Sequence, residues 1–149
     1  NNAVHVVFDV TGYFVPGTSG AKFQPIIPNR LLDSRSGNGF AGALSVGVSR
    51  SFAVTDRHAS SYWFNVPSDA IAVTGNLTVT SQTAAGWLTL TPTQDNNPPT
   101  STLNFPVGDD RANGVAAPLG SGLLWVAYNG PSAGNTANAI FDVTGYFVP

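Results

Sequence analysis

A chain of 149 residues suits one domain and is long enough to bury a core. Its 42% hydrophobic content is ordinary, whereas 9% charged residues is far below the usual quarter or so, and low charge with plentiful aromatics excludes disorder. A net charge of −2 with a single lysine, Lys22, leaves no basic patch for nucleic acid or an anionic membrane, and the lack of cysteine excludes a disulfide framework, a thiolate nucleophile and a Cys-ligated zinc.

No apolar run reaches the roughly 18 residues needed to span a bilayer. Methionine and glutamate are also absent, so every acidic residue is aspartate. A surface of Thr, Ser, Asn and Gly is common in bacterial exoproteins. No signal peptide opens the sequence, so an export signal is expected to have been removed or to lie upstream.

Taken in chain order, alternating β-branched and aromatic runs separated by Gly, Pro, Asn and Asp predict strands. They fall near 3–15, 23–27, 46–54, 62–66, 71–81, 86–92, 101–105, 113–118, 122–128 and 137–148. No stretch keeps the 3.6-residue spacing of a capped helix. The expected fold is all-β: an antiparallel β-sandwich or jelly roll of about nine or ten strands.

The first and last of these runs are copies. Phe8-Asp9-Val10-Thr11-Gly12-Tyr13-Phe14-Val15-Pro16 recurs unchanged as 141–149, an offset of 133 residues. Two organisations follow. Residues 1–16 are the closing strand of a preceding repeat, with 17–149 one whole unit, or both strands belong to one domain. Either way the chain reads as one link of a tandem array, of bead-on-a-string spacing and not a solenoid. Val4, Val6, Phe8, Val10, Tyr13 and Phe14 are the candidate assembly strand.

Between 71 and 92 the alternation separates two faces. Asn76, Thr78 and Thr80 fall on one side of the first run, with Thr74, and Trp87, Thr89 and Thr91 on one side of the second. The link Gln82–Ala85 is short, so a hairpin is expected, its outer face a Thr/Asn plane edged by an exposed Trp87. That plane is either a solvated face or a surface for sugar, ice or another copy. Trp125 and Tyr128 read as either stacking platforms or core, and Tyr62 and Trp63 are further stacking candidates.

The ordered motifs Arg30-Leu31-Leu32-Asp33-Ser34-Arg35, Gly75-Asn76-Leu77-Thr78-Val79-Thr80, Gly86-Trp87-Leu88-Thr89-Leu90-Thr91-Pro92, Ser101-Thr102-Leu103-Asn104-Phe105 and Asp142-Val143-Thr144-Gly145-Tyr146 carry a resemblance over nearly all of residues 22–149. The set resembles a domain common in secreted proteins of actinobacteria and related soil or thermophilic bacteria. The resemblance implies a secreted β-rich repeat, often tandem or appended to hydrolases, and brings no catalytic residue with it.

Little in the chain reads as chemistry. His5 corresponds to Asn138 in the other copy, and His58 has no second histidine near it in sequence, so a transition-metal site has no support. Gly37-Asn38-Gly39-Phe40-Ala41-Gly42 matches G-x-G-x-x-G but precedes a β-like run and not a helix. Glycosidase chemistry needs two carboxylates face to face, which spacing alone does not establish for Asp33, Asp95, Asp109 and Asp110. Arg30, Asp33 and Arg35 form the densest charge cluster, expected to pin an irregular segment to the sandwich through bidentate arginine. Asp109 and Asp110, and the turn at Asp95, are weak candidates for Ca²⁺; no other cofactor or metal is expected. The reading at this level is a non-catalytic structural or adhesive module, secreted or at the cell surface, whose partners are copies of itself or neighbouring repeats. The alternative is a carbohydrate-binding module that holds polysaccharide on Trp87 and the Thr/Asn face.

Overall fold

A computed structural model describes residues 10, 13, 15–17, 19–57 and 65–149. Nine strands form among them: β1 (Lys22–Asp33), β2 (Leu44–Ser45), β3 (Arg50–Ala53), β4 (Ala72–Thr80), β5 (Gly86–Thr91), β6 (Leu103–Phe105), β7 (Arg111–Pro118), β8 (Leu123–Asn129) and β9 (Thr136–Val148). They make two antiparallel sheets, in the orders β1-β9-β4-β7, with β2 also on β9, and β3-β8-β5-β6. The expected all-β sandwich is the fold.

Alternation decides which way each strand faces. In β4, Val73, Leu77 and Val79 are fully buried while Thr74, Asn76 and Thr78 are half-buried on the other side. In β8, Leu124, Val126 and Tyr128 point inward. The inner faces meet in a core of Leu32, Leu77, Phe141 and Val143 from one sheet and Phe52, Leu88, Leu124 and Tyr128 from the other. The Phe52 and Phe141 rings lie 5.7 Å apart across that seam, a spacing at which aromatic pairs attract.

β9 is the centre of the first sheet, with β1 on one edge and β4 on the other. That position explains why its apolar run is nearly continuous: Ala137, Ala139, Ile140, Phe141 and Val143 are all buried. Three register shifts adjust it, the first between the pairs Pro25↔Gly145 and Asn29↔Val143. Leu31 is skipped between the pairs Arg30↔Asp142 and Leu32↔Phe141, so two consecutive leucines are both buried, at 2% and 0% exposure. Thr144 is skipped between Thr74↔Gly145 and Gly75↔Val143. A Cβ on Gly75 would sit 2.4 Å from Phe141 Cζ and 2.8 Å from the Asp142 carbonyl oxygen, so only glycine fits there.

Two expectations need correction. β4 and β5 do not form a hairpin: β4 pairs with β7 and β9, and β5 with β6 and β8. The link turns a corner from one sheet to the other, through Ser81 at a φ of 54°. Of the run expected over 46–54 only β3 is a strand; Val46 makes an isolated bridge to Tyr128, and the chain turns where Gly47 takes a φ of 75°. The strand expected at 62–66 lies largely outside the described residues, though Val66 bridges Thr55.

Candidate functional site

Arg30, Asp33 and Arg35 meet in a charge cluster that Asp142 joins. Arg35 grips Asp33 with two bonds, Nε to Oδ1 at 2.9 Å and Nη2 to Oδ2 at 2.8 Å, and its backbone N–H donates to the same carboxylate. Arg30 grips Asp142 in the same way, at 2.8 and 3.1 Å, and reaches Asp33 at 3.4 Å. Asp142 stands opposite both Arg30 and Asn76, so the cluster lies on the outer face of the first sheet. The signal for Asp142 was a carboxylate inside an apolar strand; its partner was not named by the sequence. Hydrogen bonding from Arg35 holds the Asp33 carboxyl down to about 2, against the desolvation of a nearly buried side chain. Two arginines and two aspartates thus neutralise one another and stitch β1 to β9.

The other arginines are likewise engaged by the protein. Arg50 donates to the Ala41 and Gly42 carbonyls and lies 3.9 Å over the Phe40 ring. Arg57 binds the Leu31 carbonyl and Asn38, and Arg111 pairs with Asp109 at 2.8 Å. Asp110 accepts from Thr80, and Asp95 caps the Asn97 N–H. The Ca²⁺ candidates Asp109 and Asp110 therefore face different protein partners. No group of three or more metal-binding side chains occurs among the described residues.

The six residues of the expected ligand plane are divided between opposite faces. Asn76, Thr78 and Thr80 lie on the outside of the first sheet, and Trp87, Thr89 and Thr91 on the outside of the second. Trp87 is half-buried, not exposed, in a cross-strand row between Asn104 and Asn129. Thr89 is only 2% exposed, because the segment 93–102 folds over it. Thr89 donates to the Thr100 carbonyl, Asn129 donates to that of Asn96, and Asn96 Oδ1 accepts from both Ser49 N and Oγ. A polar, proline-containing stretch thus covers the sheet through specific hydrogen bonds. Of the aromatics, Tyr128 is core, its hydroxyl donating to the Ala84 carbonyl, and Trp125 faces outward beside Thr91.

Gly130-Pro131-Ser132-Ala133-Gly134 has the Gly-x-Ser-x-Gly spacing of a nucleophile elbow. An elbow turns a strand into a helix. This one joins β8 to β9, and Ser132 accepts from the Asn135 side chain in an exposed turn.

Of the candidate assembly strand, Val4, Val6, Phe8 and Phe14 lie outside the described residues, as do His5, His58, Tyr62 and Trp63. Val10 and Tyr13 are 72% and 85% exposed. Their counterparts in β9 are Val143, fully buried, and Tyr146, half-buried. Comparison with protein-family models, with curated proteins and with solved structures found no match.

Proposed function

We propose that this chain is a non-catalytic extracellular structural or adhesive module, a repeat unit or filament subunit joined to its neighbours through β-strand edges. One observation carries the reading. The segment Phe8–Pro16 is identical to a strand that forms the centre of the first sheet, yet its Val10 and Tyr13 stand exposed. A segment built to be buried between two strands, and not needed for any of the nine, fits a place in another unit.

The electrostatics agree. Asp142 uses Arg30 as its partner, so Asp9, at the matching position, fits the arginine of a different unit. Mutually compensated charges also favour a protein that presents shape and backbone over one that recruits charged ligands. The resemblance to secreted bacterial repeats supports the same reading and an extracellular location.

Light scattering and negative-stain imaging of residues 1–149 beside residues 17–149 test it. All nine strands lie within 22–148, so the shorter chain keeps both sheets. Oligomers or filaments from the longer chain alone are expected; two monomers would defeat assembly through the leading strand.

A further inference from the structure

Among the described residues the first sheet ends on β1 and β7, with the two-residue β2 also on the outside of β9, and the second on β3 and β6. These strands differ in how they are protected against pairing. β1 carries Pro25 and Pro28, which lack N–H donors, and is broken by two register shifts. β3 has four residues and β6 three. Prolines, bulges and shortness are the devices that keep an edge from recruiting another strand. β7 has none of them along its length. Its eight residues run in unbroken register with β4, and its one proline, Pro118, is the last. Most of the strand is exposed, with small side chains at Ala112, Gly114 and Ala116. An antiparallel strand turns alternate backbone groups to each side, and among the described residues β7 pairs on one side only.

Beside that open edge runs a groove of about 590 Å³, walled by residues 113–118 of β7 on one side and by Thr100, Asn104 and Leu90 on the other. Val10, from the duplicated segment, is also at this groove, though outside any strand.

The geometry points to β7 as an acceptor: its open edge and groove take the Phe8–Pro16 strand of a second copy of this chain. The inference rests on the assembly reading above and names its surface. Insertion into the place of β9 is the less favourable route, since that place is filled by a strand hydrogen-bonded on both edges. Addition at β7 leaves all nine strands in place. It gives the incoming strand a ladder on one side and a groove for its alternate side chains. Because tail and acceptor are different surfaces, the contact is head-to-tail and propagates into an open filament.

The absence of cysteine allows a direct test in the full chain. Val10→Cys and Ala116→Cys chains are mixed in equal amounts and treated with a short bismaleimide, with Val10→Cys plus Ala53→Cys on the β3 edge as the control. A heterodimer from the first mixture and not the control is expected. Val115→Lys, which places a charge in the groove, is expected to weaken association about tenfold or more while leaving the melting transition two-state. Oligomers without the cross-link, or with Val115→Lys associating as the parent does, overturn the β7 surface and leave assembly standing. A double variant, Val10→Cys with Ala116→Cys, that links only within a monomer overturns it in favour of the chain's own tail. Monomers throughout defeat both readings.

Discussion

Asp33 does more for the fold than its place at the end of β1 implies. Its carboxylate accepts from the Arg35 backbone and side chain and from Arg30, and these bonds hold it to about 2 where 3.8 is ordinary. A carboxyl depressed in the folded state stabilises it above the unfolded value, and that contribution fades as pH falls from about 5 through about 2. The difference corresponds to roughly 2 kcal/mol at neutral pH. Asp33→Asn should lower urea stability by about that much at pH 7 and by little at pH 2. An acid limb as steep in the variant as in the parent would place the effect on other carboxylates. The pairing of Arg30, Asp33 and Arg35 was legible because three charges within six residues of a charge-poor chain have few other partners. The fourth member was not, since 109 residues separate Asp33 from Asp142 and only the β1–β9 register joins them.

Among the elements, β4 was legible because it alternates between buried and half-buried residues, and β8 and β9 because their long apolar, β-branched and aromatic runs are bounded by Gly and Pro. β1 was seen only in part. Its alternation is broken by Pro25, Pro28 and two register shifts, so the segment to Asp33 reads as irregular although it pairs with β9 at both ends. Sheet membership was harder still, because a short link between two alternating runs serves a hairpin or a corner equally well. The cover over β5 and β8 left no apolar signature, being held by polar contacts. Asn96 is its anchor, with Oδ1 accepting twice from Ser49, itself 5% exposed. Asn96→Ala strands a buried N–H and hydroxyl and should cost about 1–3 kcal/mol in denaturant unfolding. A loss within a few tenths would mean that water replaces the side chain.

At the scale of the molecule, the pairing of Lys22 with Val148 places the first and last residues of the sandwich side by side, at about 5 Å. Tension applied through these two points would peel β1 from β9 one rung at a time, since both strands are loaded from the same end. Tension between residues 22 and 134 would instead shear the same ladder, with every rung loaded together. Single-molecule pulling should give a markedly lower rupture force for the first geometry, and equal forces would mean that the core and not the ladder bears the load. A filament of such units linked through these points would be compliant in extension, yielding unit by unit and lengthening before any junction between units is strained.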